Sequence, residues 1–202
     1  MAVTGAVLFL FIIGHLAGNM QMFAGRERIN AYAAFLKNTG ELLWVARGTL
    51  LLALTLHIIA SAQITLANWR ARPVGYAFKR DIETTYAAKT MILSGPLILL
   101  YVIYHLMMFN FLVTGPGYSQ TDVYGNVIKA FQTPAIAGVY ILAMLMLGLH
   151  LSHGIWSMLH TLGISNPRYH KLRRIVAPAI AAIIAAGYIS IPLAALIGVL
   201  KY

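Results

Sequence analysis

The chain has 202 residues, 60% of them hydrophobic and only 10% charged, with a mean hydropathy of +0.76. A soluble domain carries about 25% charged residues, so this chain lacks the polar surface that would keep it in water. Its formal charge of +10 does not point to nucleic acid, because no basic, polar domain is present to bind it. It has no cysteine, which excludes disulfides, thiolate metal sites, iron–sulfur clusters and covalently attached haem in this chain.

A bilayer core about 30 Å thick takes about 20 apolar residues per helix. Five segments meet that length: Ala2–Phe23, Leu42–Ala67, Thr90–Val113, Phe131–Leu159 and Val176–Leu200. The expected fold is therefore all-α, a polytopic membrane protein with five transmembrane helices in one bundle, residues 1–202 forming a single domain. The first run is too long for the core of a signal peptide and has no charged segment before it. It begins almost at Met1, so its helix is expected without a cytoplasmic lead-in, a longer natural N-terminus being the alternative.

After the first span, the stretch from Arg26 to Leu36 places Ile29, Tyr32, Phe35 and Leu36 near one helical face and reads as a short interfacial helix. Pro96 in the third span, and Pro178 and Pro192 in the fifth, are expected to kink their helices. Thr114 to Val127 holds Gly115, Pro116, Gly117 and Gly125 and reads as a turn-rich cap. Basic residues are unevenly shared among the loops. Arg70, Arg72, Lys79, Arg80 and Lys89 lie between spans two and three, and Arg168, Lys171, Arg173 and Arg174 between spans four and five. The loop after span one has Arg26, Arg28 and Lys37, and the loop after span three only Lys129. Positive charge marks the cytoplasmic side, so the N-terminus is expected inside and the C-terminus outside.

Each of the first four spans carries a histidine: His15, His57, His105 and His150. A polar ring in the middle of a membrane helix is costly to bury and needs a partner. At 1.5 Å rise per residue, His15 and His105 lie roughly 15 Å from the outer edge, His57 roughly 24 Å and His150 roughly 31 Å. Two layers follow, separated by somewhere around 6 to 12 Å. Two pairs on four helices suit two stacked haems, each with two axial imidazoles: His15 and His105 for the outer, His57 and His150 for the inner. Bis-histidine ligation leaves no open position on the iron and favours electron transfer over oxygen chemistry. Gly14 and Gly18 flank His15, Gly95 precedes His105, and Gly148 and Gly154 flank His150, where small residues let a porphyrin approach. Arg47, His153 and His160 are candidate contacts for haem propionates, set against snorkelling for the arginine and a wet interface for the two histidines. His170 is expected in a loop.

The pattern resembles a known family, the b558-type dihaem cytochrome b membrane anchor of bacterial succinate:quinone oxidoreductases (succinate dehydrogenases and fumarate reductases). This is the type in which a single five-span chain forms the whole anchor. The matching pieces are Thr4-Gly5 and Gly14-His15, Leu56-His57, Ser94-Gly95 and His105, then Gly148-Leu149-His150 with Gly154 and Trp156. The resemblance implies His15 with His105 at the distal haem and His57 with His150 at the proximal one. It implies cytoplasmic flavoprotein and iron–sulfur partners, the bacterial cytoplasmic membrane, and electrons delivered through two b haems to a quinone, menaquinone by family. Succinate chemistry would belong to the flavoprotein, with no catalytic residue for it in this chain. Because moving one charge through 100 mV is worth about 2.3 kcal/mol, two haems across the bilayer can couple the transfer to membrane potential.

An outer quinone site needs a proton acceptor nearby. The outer carboxylates are Glu27, Glu41 and Asp122, with Asn19, Gln21 and Arg26 close in sequence; Gln21, Arg26, Glu27 and Glu41 are the candidates. Two other readings remain open from sequence: the dihaem cytochrome b of another membrane dehydrogenase, and a haem-free transporter or scaffold with a histidine proton relay. Transporters often show inverted repeats, and no paired halves are evident here.

Overall fold

A computed structural model describes residues 1–71, 74, 84–114, 117–164 and 166–202. The chain is 84% helix, with no strand among the described residues. Five helical segments there are long and apolar enough to cross a membrane: Ala2–Ala24, Glu41–Ala71, Tyr86–Asn110, Pro134–Thr161 and Lys171–Leu196. These are the five runs read from the sequence, with shifted ends. Arg72, Lys79, Arg80, Gly115 and Pro116 lie outside the described residues.

The first span is α1 (Ala2–Asn19) closed by a 3-10 turn, Met20–Ala24. Gly25, at φ 101°, breaks the chain away into α2 (Arg26–Asn38), a backbone angle that other residues rarely adopt. The expected short helix after span one is thus present, with Ile29 buried and Tyr32 half-buried, although Phe35 is exposed. The second span is α3 (Glu41–Ala71). The third is α4 (Tyr86–His105), capped by the Thr85 hydroxyl, which accepts from the Ala88 N–H at 3.2 Å. A π-helical turn, Leu106–Asn110, follows directly on His105.

Three local expectations give way. The stretch read as a turn-rich cap, Thr114 to Val127, runs into α5 (Val123–Phe131), a helix with seven buried residues. The fourth span, α6 (Pro134–Thr161), starts at Pro134 rather than Phe131, because proline suits the first helical turn, where its missing N–H costs nothing. His170 opens α7 (His170–Leu196) instead of lying in a loop.

Two packed regions hold the bundle. One joins α6 to α7, where Met144, Leu147, Leu151 and Ile155 meet Ala177, Ala181 and Ile184. Small residues let these backbones come close, as membrane helices require when lipid is as apolar as leucine. A Cβ on Gly148 would lie 3.1 Å from the Ala185 Cβ, so this glycine serves helix packing. Gly148→Leu is expected to cost about 1–3 kcal/mol through overpacking, read as a lower thermal midpoint in detergent. No change in the midpoint would show that α6 and α7 are not in contact there.

The other packed region is the cap built from α2, α5 and the C-terminal end of α7, with Met22, Ile29, Met108, Ile128 and Phe131 at its centre. Asp122 ties it together. Its carboxylate accepts from Arg26 Nε and Nη2 (3.1 and 2.6 Å), Asn30 Nδ2 (2.9 Å), the Gly125 N–H (3.1 Å) and the Tyr202 hydroxyl (3.3 Å). Burial raises the Asp122 carboxyl, but hydrogen bonds from Asn30, Gly125 and Arg26, with the Arg26 charge, hold it at about 2. The Arg26 guanidinium also lies over the Tyr202 ring, 5.0 Å from its centre. Lys37 Nζ donates to the Gln120 carbonyl and reinforces the same docking.

Candidate functional site

The histidines of the first four spans meet two by two. His15 faces His105 with ring centroids 5.9 Å apart and planes at 82°; His57 faces His150 at 6.4 Å and 58°. A metal bound to one nitrogen of each ring at about 2 Å, with each ring centre about 1.1 Å further out, sets two centroids about 6.2 Å apart. Both pairs lie near that spacing. Elsewhere among the described residues no three His, Cys, Asp or Glu side chains gather as a metal cluster. Haem iron does not need one, since the porphyrin supplies four nitrogens and the protein only two axial ligands.

The helices carrying these pairs stand apart. Among the described residues α4 packs on α6, and α1 on α3, α6 and α7, whereas α3 packs along its length only on α1. Neither α1 with α4 nor α3 with α6, the two helix pairs joined by facing histidines, packs along its length. Helices in direct contact run about 8–10 Å apart, and each histidine pair joins two helices that lack such close contact along their length. Added Cβ atoms at Gly14, Gly95 and Gly154 would meet open space. Gly18, by contrast, receives the Tyr32 ring, 2.7 Å from where a Cβ would be, and Gly148 receives Ala185. These two glycines, expected to admit a porphyrin, are filled by protein. The described groups therefore fit a flat ligand with two axial imidazoles at each level.

The levels are further apart than the sequence suggested. Thr4 touches His57 and Ser94 touches His150, so the inner level crosses α1 at Thr4 and α4 at Ser94. The outer level crosses the same helices at His15 and His105, which puts the two about 16 Å apart along each helix at 1.5 Å per residue. The expected 6 to 12 Å took Met1 as the inner edge of the first span; in the fold Thr4 is already level with a histidine deep in α3.

Hydroxyls stand behind three of the four imidazoles. His57 Nδ1 is 3.2 Å from Thr4 Oγ1, His150 Nδ1 is 3.3 Å from Ser94 Oγ, and His105 Nδ1 is 3.3 Å from the Tyr140 hydroxyl. His15 is held by rings instead, stacked on Phe11 at 5.2 Å and beside Tyr188 at 6.1 Å. Around His105, Tyr101, Phe109 and Tyr140 form an aromatic wall, with Phe131 against Tyr140. Sequence reading did not assign roles to these hydroxyls. Their signal was available: Thr4, Ser94 and Tyr140 are lone polar groups in apolar runs, which need a partner of their own.

The remaining candidates are dispersed. Arg47 is exposed, its guanidinium 5.1 Å from the Trp44 ring centre and its Nη2 donating to Asn110 Oδ1 at 3.3 Å, a link from α3 to the end of the third span. His153 and His160 flank Trp156, with His160 stacked on it at 5.7 Å. Gln21 lies in the 3-10 turn, and Glu27 and Glu41 are exposed in the first turns of α2 and α3. Arg26 is committed to Asp122, and no ion pair among the described residues joins Gln21, Arg26, Glu27 and Glu41. No protein-family model, curated protein or solved structure matches the chain.

Proposed function

We propose that the chain is the dihaem cytochrome b membrane anchor of a bacterial succinate:quinone oxidoreductase. The observation that carries this reading is the two facing imidazole pairs, each joining two helices that do not pack along their length. His15 and His105 would hold the outer group, His57 and His150 the inner. When bound, two b haems supply one-electron transfer between the two faces of the bundle. The chain's own part would be to supply two imidazoles at each level, which would leave no position for oxygen, and to keep water out with apolar helix faces.

The basic residues Arg70, Lys89, Arg168, Lys171 and Arg174 put the N-terminus in the cytoplasm and give that side a surface for acidic partners. There the flavoprotein and iron–sulfur subunits would dock. On the opposite side Glu27 and Glu41 are candidates for exchanging protons with a quinone, menaquinone by family resemblance, and Gln21 for a hydrogen bond to it; Arg26, bound to Asp122, would position the cap rather than the quinone. Arg47, His153 and His160 would be the candidate contacts for the haem propionates. The bacterial cytoplasmic membrane is the proposed location.

Haem content tests the proposal. The purified chain is expected to carry two b-type haems with bis-histidine spectra and to co-purify with a flavoprotein and an iron–sulfur protein. Absence of b-type absorption bands would overturn it and leave the proton-relay reading. Haem with a different dehydrogenase partner would keep the cytochrome and change the complex.

A further inference from the structure

We propose that Thr4 and Ser94 at the inner level, and Tyr140 at the outer, are positioning residues that select the tautomer of His57, His150 and His105. Each would leave Nε2 bare toward the space between the paired rings. The inference rests on the haem reading above and adds to it the groups that orient and tune the ligands.

The argument is a count of protons. A hydroxyl has one proton to give and lone pairs to accept with. Thr4 Oγ1 donates its proton to the Met1 carbonyl at 2.9 Å, and Ser94 Oγ donates to the Met91 carbonyl at 3.4 Å. The Tyr140 hydroxyl donates to Met108 Sδ at 3.7 Å. With an acceptor for its proton close by, each oxygen is free to accept from the imidazole nitrogen beside it. A metal-binding imidazole is neutral and has a single N–H, which on Nδ1 would meet an accepting hydroxyl at each of the three rings. The lone pair is then on Nε2, the nitrogen an iron between the rings would take.

The inner level is backed on both sides, so a chain of hydroxyl, imidazole, imidazole and hydroxyl runs through α1, α3, α6 and α4. The outer level is backed on one side: Tyr188 meets His15 as a ring, 6.1 Å between centroids, with its hydroxyl on the Ile12 carbonyl at 2.7 Å. An Nδ1–H bond to oxygen makes an imidazole a stronger donor. Stronger donation favours oxidised iron and lowers the reduction potential. Removing the oxygen therefore raises the potential of the haem at that level and leaves the other unchanged.

Redox titration of the purified, haem-loaded chain, following its two b components separately, reads this directly. Thr4→Val and Ser94→Ala are each expected to move the same component to more positive potential. Tyr140→Phe is expected to move the other, and Thr4→Ser to match the wild type. If Thr4→Val loses the inner haem altogether, restoration of both content and potential by Thr4→Ser supports the proposal. Unchanged potentials in all variants would overturn it, as would Thr4→Val and Ser94→Ala acting on different components, or Thr4→Ser behaving as Thr4→Val does. A wild-type chain without haem would overturn the cytochrome reading and this inference together. Two haems with potentials indifferent to the hydroxyls would overturn this inference alone.

Discussion

Replacing His15 or His105 with leucine is expected to halve the haem content and remove one b-type spectral component. Replacing His57 or His150 is expected to remove the other. The pairing makes the outcome specific: His15 faces His105 at 5.9 Å and His57 faces His150 at 6.4 Å, at levels about 16 Å apart, so neither pair can lend a ligand to the other. Losing one imidazole would leave a haem at that level with a single axial histidine, because leucine supplies no ligand atom. Haem-to-chain ratio and the low-spin signature of the remaining component are the measurements. A substitution that left both components bis-histidine coordinated would remove that residue from the ligand set. Loss of both components from a single leucine variant that otherwise folds would mean that the two levels are not independent.

Asp122→Ala is expected to loosen the cap and lower stability by about 2–3 kcal/mol. The Arg26–Asp122 ion pair cannot supply that alone, because the arginine side chain is 51% exposed and surface pairs are worth under about 1 kcal/mol. The larger share comes from the other contacts. Asp122 caps α5 through the Gly125 N–H, binds Asn30 of α2 and accepts from Tyr202. The same carboxylate gives the cap an acid limit. Its folded value of about 2 lies below the ordinary 3.8, so its contribution is complete above 3.8 and is lost as pH falls through that window toward 2. Thermal midpoints of the solubilised chain should therefore fall between those values in the wild type and less so in Asp122→Ala. Gly125→Ala reaches the same contacts by crowding, since its Cβ would lie 2.2 Å from Asp122 Oδ2 and 2.5 Å from the Tyr202 hydroxyl. Equal acid sensitivity in wild type and Asp122→Ala would assign the cap's pH limit to another group.

Gly125 also shows why α5 was hidden. A glycine with Gly115, Pro116 and Gly117 nearby reads as a turn, because glycine weakens a helix when judged alone. Here it is required by what lies against it, the carboxylate and phenol of residues 3 and 77 positions away. Asp122 was a legible helix cap. What the local pattern could not supply was the buried surface on α2 and α7 that keeps so short a helix folded. The glycines near the histidines divide for the same reason. Gly148 and Gly18 have the same composition signal as Gly95 and Gly154, yet the first two are occupied by Ala185 and Tyr32 and the others face open space.

Composition and run length alone determined that the chain is helical and has five membrane-length segments, because apolar length against a bilayer is a local property that needs no knowledge of neighbours. The one-per-helix placement of His15, His57, His105 and His150 was likewise visible in the linear chain. Depth along each span already paired His15 with His105 and His57 with His150, but how far apart their levels stand and which hydroxyl backs each ring were decided only when helices distant in sequence came together. Helix rotation and axial offset are set by packing such as Gly148 on Ala185 and Leu16 on Gly187, and a single helix has no term in its own energy that specifies either.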